Sequence, residues 1–243
     1  MPDKRAHRGA HPEDREKFAP AYVPVLAQAV AELSWLRSRG YAEKASRTLV
    51  GDHYQLTDRQ RSALMRCACA DDARTGRLSS QVAAGQLQGE RLALDGYNVL
   101  TSVEAALAGG ALFLGRDMCL RDVASMHGSY RKVQETLPAV DLIGQTLARL
   151  GVAGALWYLD APVSNSGRLK TILRQQAGVR QWDWQVEIVA SPDHELMAEA
   201  RIVATSDSVI LDRCQRWFNL ARQVIETCVP HAWVIDLSGR RAP

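Results

Sequence analysis

The sequence lacks the features of a secreted or membrane-embedded protein. Its N-terminus has no apolar core of signal-peptide length, and no hydrophobic run is long enough to cross a membrane. The five cysteines are odd in number and form neither a Cys-x-x-Cys pair nor a zinc-binding pattern with histidine: Cys67, Cys69, Cys119, Cys214 and Cys228. We therefore expect a cytoplasmic protein with reduced, buried thiols and no membrane partner.

Aromatic residues are few and the net charge is small. Aromatic side chains make up only 6% of the chain, but hydrophobic residues reach 47%, so 243 residues can build a substantial core. The formal net charge is +3, although several acids cluster at the ends of predicted strands. The remaining surface should therefore be basic, which suits a nucleic-acid partner, although many proteins of similar charge bind no nucleic acid.

Composition and periodicity divide the chain into four parts. They are a mobile arm at residues 1–20, a small all-α module at 21–75, a linker at 76–89 and an α/β domain at 90–243.

Three helices are predicted in the module. Apolar residues at helical spacing from Val23 to Leu36 indicate the first, and residues 42–50 fit a second. Thr57 and Gln60 form a capping-box pattern that begins the third.

Four short apolar runs in the α/β domain are each followed by an acidic residue. These acids are Asp95, Asp160, Asp193 and Asp207. Helical patterns separate the runs, so we predict a mostly parallel sheet in a three-layer α/β/α fold. The carboxyl ends of parallel strands share one edge of a sheet, where α/β proteins bind ligands. We expect the four carboxylates to meet there. A helix from Val209 to Ile225 and a last strand from Ala232 to Ile235, followed by Asp236, complete the predicted domain.

Clustered carboxylates suit a hard divalent cation. Mg²⁺ and Mn²⁺ take oxygen ligands, whereas carboxylates without a cation repel each other and take up protons. Such a cation activates water and offsets the charge that develops on a phosphate during phosphodiester cleavage. We predict that Asp95, Asp160, Asp193 and Asp207 hold Mg²⁺ or Mn²⁺, with Asp212 as a further candidate. The alternatives are a turn or cap role for Asp193 and Asp207, and plain solvent exposure for Asp212.

Polar and basic residues beside these acids are candidates for binding substrate. Asn98, Thr205 and Ser206 adjoin the strand-end acids and could position water or phosphate. Arg168 and Lys170 follow the second of these acids closely in the chain. The two basic residues could contact a nucleic-acid backbone or could belong to a solvated helix face.

A second basic segment contains another candidate. Arg121 lies in the stretch from Arg116 to Lys132, where His127 and Tyr130 are interleaved with the charges. This stretch could follow a nucleic-acid backbone while the aromatic ring stacks on a base. A solvated helix face explains the same pattern.

Four motifs resemble those of the PIN/NYN-like ribonucleases. They are Asp95-Gly96-Tyr97-Asn98, Tyr158-Leu159-Asp160, Ser191-Pro192-Asp193-His194-Glu195 and Ala204-Thr205-Ser206-Asp207. The resemblance covers the chain from about Leu92 onwards. It implies a PIN-like fold, metal binding by these acids, ribonuclease activity and, because such domains often pair, a homodimer. The family often has an acid two residues after the last aspartate, where this chain has Val209. Three alternatives stay open: Asp212 replaces that acid, the site binds one metal, or activity is lost.

The helical module resembles a different group of proteins. Arg39-Gly40-Tyr41, the segment from Leu56 to Arg61, and Arg121-Asp122-Val123 are similar to an uncharacterised microbial family known only as domains of unknown function. This second resemblance implies relatives but no activity.

Several functions remain open from the sequence. The first is a metal-dependent nuclease acting on RNA, and the second is a non-catalytic RNA-binding or regulatory protein that keeps the fold. The third is a phosphatase of the haloacid-dehalogenase type, but Tyr97 stands where that chemistry needs a second aspartate. A nucleotide-binding oxidoreductase is disfavoured because Gly96 stands alone, without a Gly-x-Gly-x-x-Gly turn.

Overall fold

The computed structural model of the chain describes residues 7–123 and 130–239, which form eleven α-helices and eight strands. The helices are α1 (Asp14–Lys17), α2 (Val23–Ser38), α3 (Glu43–His53), α4 (Asp58–Cys67), α5 (Asp71–Ser80), α6 (Gly96–Leu107), α7 (Thr136–Arg149), α8 (Ser166–Arg180), α9 (Pro192–Ala198), α10 (Ser208–Leu211) and α11 (Leu220–Cys228). The strands are β1 (Arg91–Asp95), β2 (Leu112–Leu114), β3 (Leu120–Asp122), β4 (Gly154–Asp160), β5 (Trp184–Val189), β6 (Ile202–Ala204), β7 (Trp217–Phe218) and β8 (Val234–Asp236). Over the described ranges, none of the helices has both the length and the apolar character that a bilayer span requires.

Five strands form a parallel sheet in the order β5-β4-β1-β6-β7. Side chains alternate between its two faces. Leu92 and Leu94 share an apolar core with α6, α7, α8 and α11, whereas Ala93 packs with Leu196 of α9 and Ile210 of α10. Helices therefore cover both faces of the sheet, which confirms the predicted three-layer α/β/α fold with a mostly parallel sheet.

The helices that connect the strands lie on one face of the sheet up to β5 and on the other face after it, so the face changes between the neighbouring strands β1 and β6. From β1 to β4 and on to β5, the chain runs along one face through α6, α7 and α8. From β5 to β6 and on to β7, it runs along the other face through α9 and α10. The carboxyl ends of β1 and β6 therefore border a crevice, which is where open α/β sheets bind ligands.

The end of the chain departs from the predicted pattern. The stretch from Val209 to Ile225, predicted as one helix, contains α10, the short strand β7 and α11, because Trp217 pairs with Val203 at the sheet edge. The predicted last strand exists as β8, but it pairs with β2 in a second sheet of order β3-β2-β8. Asp236 therefore does not belong to the edge of the main sheet.

The helices α2, α3 and α4 of the N-terminal module lie where the spacing predicts them. The Thr57 hydroxyl accepts the Gln60 N–H at 3.4 Å, and Gln60 Oε1 accepts the Thr57 N–H at 3.0 Å, so the predicted capping box is formed. Leu33 and Leu64 share an apolar cluster with Phe113 of β2. The module is therefore packed against the second sheet.

Two segments that composition predicts to be loose are held by ion pairs. In the arm, Arg8 pairs with the buried carboxylate of Glu104, and Asp14 pairs with Arg59. In the predicted linker at 76–89, the first residues complete α5, and Arg77 of that helix is buried between two aspartates. Partners distant in sequence therefore neutralise these charges in the described part of both segments.

The cysteines are free thiols. Four of the five are buried and Cys228 is half-buried. Burial raises the pKa of the Cys67 and Cys119 thiols well above the ordinary value. These two side chains therefore behave as small core residues and not as nucleophiles.

Candidate functional site

The crevice at the ends of β1 and β6 is a cleft of about 260 Å³. Asp95 ends β1, Asp207 follows β6, and Asp193 lies in the first turn of α9. These three carboxylates line the cleft together with Asn98 and Ser206, and we call it the acidic cleft. The structure therefore brings together three of the four acids predicted from the sequence.

Hydrogen bonds fix the two chain segments that carry these acids. The Thr205 hydroxyl donates to Asp95 Oδ2 at 2.8 Å and accepts the Asp207 N–H at 2.9 Å. Asn98 Oδ1 accepts the N–H of Ser206 at 2.8 Å and its hydroxyl at 2.9 Å. Thr205, Asn98 and Ser206, which the sequence suggested as substrate contacts, therefore join the ends of the two central strands.

Asp207 also caps a short helix. Its Oδ1 accepts the N–H of Val209 at 2.8 Å at the start of α10. Ser191 plays the same role at α9, where its hydroxyl accepts the His194 N–H at 3.4 Å. The cap role considered for Asp207 is thus present, and the same side chain also faces the acidic cleft.

Burial and neighbouring carboxylates raise the pKa values of two acids in the cleft. Burial raises the pKa of Asp95 to about 7, with the charges of Asp207 and Asp193 acting in the same direction and the Thr205 hydrogen bond opposing them. Burial and the charge of Asp207 also raise the pKa of Asp193. Acids that are shifted by burial and by specific neighbours within one cleft are typical of functional sites.

The acids of the cleft have no ion-pair partner among the residues that the structure describes. Within residues 7–123 and 130–239, none of the Lys or Arg side chains forms an ion pair with Asp95, Asp193 or Asp207. Arg121 and Arg66 line the acidic cleft, but the Arg121 guanidinium pairs with a carboxylate elsewhere. Among the described residues, the three acids of the cleft are therefore not neutralised by direct ion pairs.

The donor set suits part of the coordination shell of a hard divalent cation. In the part of the chain that the structure describes, no three His, Cys, Asp or Glu side chains are grouped so that they could hold an ion. Mg²⁺ commonly uses one or two carboxylates and completes its shell with waters and substrate phosphates. Asp95 with Asp193 or Asp207 offers such carboxylates, and none of the described histidines or cysteines lines the cleft, although these are the donors that zinc prefers.

Asp160 lies next to this group. It ends β4, which pairs with β1 on the side away from β6. Burial raises its pKa, and the charge of Asp193 adds to the rise. Asp160 does not line the acidic cleft, so Asp193 is the acid that couples it to the other carboxylates.

Asp212 and Arg121, predicted to bind metal and substrate, belong to a network of ion pairs. Arg77 donates to Asp212 at 2.6 and 2.9 Å and to Asp117 at 2.6 Å. Arg121 donates to the same Asp117 carboxylate at 2.9 and 2.6 Å and to the Ser206 carbonyl at 2.7 Å. Although burial opposes it, the two arginines lower the pKa of Asp117 to about 2. The side chains of Asp212 and Arg121 therefore form hydrogen bonds and ion pairs with other groups of the protein.

The other basic candidates lie in different surroundings. Arg168 lines a separate cleft at the start of α8, whereas Lys170 does not. Arg116 pairs with Asp71 of α5. The described residues between Arg116 and Lys132 contain β3 and no helix, so the alternative of a solvated helix face is wrong there. His127 lies outside the described residues.

Arg66 is a cleft residue that the sequence did not reveal. It lies in the last turn of α4, its side chain is exposed, and it lines the acidic cleft. Ser102 and Asp122 also line the cleft. The sequence contains no signal for Arg66, because only the docking of the helical module places it at the edge of the main sheet.

Known proteins resemble this chain over most of its length. A family model described as Protein of unknown function (DUF434) matches residues 25–79, and one described as Domain of unknown function (DUF5616) matches residues 84–223. The uncharacterized protein MJ0935 of Methanocaldococcus jannaschii is 29% identical over 186 residues, which cover 76% of this chain and 88% of the relative. No solved structure matches the chain significantly. Because the second model spans more than half of the sequence, the chain belongs to the family described as Domain of unknown function (DUF5616).

Proposed function

We propose that this protein is a metal-dependent nuclease that hydrolyses phosphodiester bonds in RNA. One observation carries the proposal: Asp95, Asp193 and Asp207 share a cleft at the switch point of a parallel sheet, without an ion-pair partner among the described residues. The motifs around these acids resemble those of PIN/NYN-like ribonucleases. The three-layer fold agrees with that resemblance, and a PIN-like classification is part of the proposal.

A divalent cation would remove the repulsion between these acids. Mg²⁺ or Mn²⁺ bound by Asp95 with Asp193 or Asp207 would lower the pKa of a bound water and offset charge on the phosphate. Thr205 holds the Asp95 carboxylate in place through the bond to its Oδ2. Asn98 holds the chain at Ser206, so the segment that presents Asp207 keeps its distance from β1.

Arg66 gives the helical module a part in this function. Its exposed side chain lines the acidic cleft and has no ion-pair partner among the described residues. A guanidinium at that position suits a phosphate oxygen of the substrate. The module would then help to hold RNA over the acids.

The second candidate is an RNA-binding protein without catalysis. Two observations favour it: the described residues contain no group of three metal-ligating side chains, and Asp207 uses one carboxylate oxygen as a helix cap. In that case the cleft acids would not hold a cation when RNA is bound. The same experiment separates the two candidates.

The test is cleavage of labelled single-stranded and structured RNA with Mn²⁺, with Mg²⁺ and with chelator. Asp95→Asn and Asp207→Asn keep the size of the side chain, and asparagine can still cap α10. Asp183→Asn is the matched control, because Asp183 pairs with Arg91 at the opposite edge of the sheet. We expect metal-dependent cleavage in the wild type and the control, and at least a hundredfold loss in both cleft variants, on the order expected for removal of charged catalytic groups.

Two results would contradict the nuclease proposal. One is cleavage that persists in chelator or in both cleft variants, which would indicate a contaminant or another site. The other is RNA that is bound equally well by all four proteins but never cut, which would favour the non-catalytic candidate.

A further inference from the structure

A second cleft lies at the start of α8 and has the opposite charge. It has a volume of about 280 Å³ and is lined by Arg131, Lys132 and Arg168, with Leu169 and Ile172 as its apolar part. No carboxylate of the described residues lines it. We call it the basic cleft.

Hydrogen bonds build the basic cleft from two segments that are distant in sequence. The Asn165 side-chain amide donates to the Tyr130 carbonyl at 2.9 Å, and the Tyr130 N–H donates to the Ser164 carbonyl at 3.1 Å. The Tyr130 hydroxyl donates to the buried Glu104 carboxylate at 2.7 Å. The segment that carries Arg131 is therefore tied to the residues just before α8 and, through Tyr130, to the buried Glu104.

Two tyrosines separate the basic cleft from the acidic cleft. Tyr97 lines the acidic cleft and Tyr130 lines the basic cleft, and their ring centroids are 5.3 Å apart. Ser166 is the first residue of α8, and its hydroxyl oxygen lies 2.6 Å from the hydroxyl oxygen of Tyr97. Contact between these two rings therefore joins a wall of the acidic cleft to a wall of the basic cleft.

Two basic side chains of the cleft, Lys132 and Arg168, are available to an anion. Lys132 and Arg168 are exposed, and neither has an ion pair with another described residue. The basic residues Lys170 and Arg174 of the same helix lie about 200° and 240° around its axis from Arg168, and neither lines the cleft. Of these three basic residues of α8, only Arg168 therefore lies beside Lys132 in the cleft.

We propose that the basic cleft binds a backbone phosphate of the same RNA strand whose scissile phosphate lies in the acidic cleft. This inference rests on the proposed function. The acids of the acidic cleft repel a phosphate until a cation is bound, so attraction for the strand must come from Arg66 at the edge of that cleft and from cations beyond it. Binding energy gained beside the reacting phosphate can then position that phosphate for reaction.

Binding in chelator tests the inference apart from cleavage. The probe is a fluorescein-labelled oligouridylate, and its dissociation constant is measured over a series of salt concentrations with the full chain. The variants are Lys132→Gln and Arg168→Gln, and Arg174→Gln is the matched control on the other side of α8. We expect each cleft variant to bind about three- to tenfold more weakly and to lower the slope of log K against log salt by about 0.7, the value for one phosphate contact on a single strand. The control should change neither quantity.

Each outcome decides the inference separately from the nuclease proposal. Equal weakening of binding in all three variants would indicate general attraction by surface charge and would overturn the inference. The inference also fails if both cleft variants bind the probe as tightly as the wild type does, or if the wild type does not bind the probe. Loss confined to the cleft variants supports it, even if the wild type never cleaves RNA. An oligothymidylate of equal length shows whether the cleft recognises RNA or any phosphodiester backbone.

Discussion

Replacing Asp95 with asparagine should stabilise the protein at alkaline pH when no divalent cation is present. The carboxylate is buried at the end of β1 and lies near the charges of Asp193 and Asp207. Its ionisation therefore costs free energy in the folded state that it does not cost in the unfolded chain. Asparagine keeps the acceptor oxygen for the Thr205 hydroxyl and removes the charge.

The pKa of Asp95 gives the size of this effect. The value rises from 3.8 to about 7 on folding, and one pKa unit corresponds to about 1.4 kcal/mol. Because the folded state binds the proton more tightly, the cost is absent below about pH 4, grows between about pH 4 and 7, and is complete above about pH 7. The ceiling is about 4 kcal/mol, and water in the open cleft screens the charges, so we expect about 2 kcal/mol.

Urea unfolding in chelator at about pH 4 and about pH 8 measures the difference. At the higher pH the Asp95→Asn variant should be more stable than the wild type by about 2 kcal/mol, and at the lower pH the two should agree. Asp183→Asn, which breaks an exposed ion pair, should change the stability by less than about 1 kcal/mol at either pH. An Asp95→Asn variant that is no more stable than the wild type at about pH 8 would refute the reasoning.

Adding a cation should reverse the order at about pH 8. If Mn²⁺ binds at Asp95, a concentration of about a hundred times its dissociation constant stabilises the wild type by about 2.7 kcal/mol. The Asp95→Asn variant should gain much less. Equal gains in the two proteins would mean that the ion binds elsewhere.

Four further substitutions test packing and buried ion pairs by urea unfolding. Gly96→Ala should lower the free energy of unfolding by about 1–3 kcal/mol, because the new Cβ would lie 2.7 Å from the backbone oxygen of a neighbouring strand. Gly167→Ala has open space around it and should raise the free energy of unfolding by about 0.5–1 kcal/mol. Equal effects of the two substitutions would contradict this reasoning. Arg77→Met should cost about 3 kcal/mol, since it leaves a buried carboxylate with one cation fewer, and a loss below about 1 kcal/mol would show that the pair is not needed. Arg8→Ala should cost about 2 kcal/mol near neutral pH and less in acid, where the buried Glu104 can take up a proton; a loss that is independent of pH would indicate lost packing alone.

The sequence predicts the parts of the site that depend on local pattern. Asp95 and Asp207 each follow an apolar run, and parallel strands place such residues at one edge, so the meeting of these acids could be expected. The caps at Thr57 and Ser191 are also predictable, because a cap depends on residues three positions apart. These features need no knowledge of distant contacts.

Other features depend on contacts that no local pattern encodes. Arg66 reaches the cleft only because α4 packs against the second sheet, and the helical pattern of α4 says nothing about its partner. Arg168 and Lys170 look equivalent in the sequence, but the position of α8 on the sheet directs only Arg168 to the basic cleft. The strand β7 has two residues, which is too short for any periodicity to show, so the pattern around it predicts a helix.

Ion pairs within the protein account for the positions of Asp212 and Arg121, which the sequence predicted as metal and substrate ligands. Arg121 holds the chain at Ser206, and Arg77 holds it at Asp212, so both ends of the segment that presents Asp207 are fixed to arginines. Arg77 and Arg121 share the Asp117 carboxylate, which holds the two guanidinium groups next to each other. A carboxylate that must stay near other carboxylates needs such restraint, because repulsion otherwise moves the loop away. Asp212 and Arg121 therefore contribute to the acidic cleft by holding both ends of the segment that presents Asp207, and their predicted contacts with metal and substrate stay predictions.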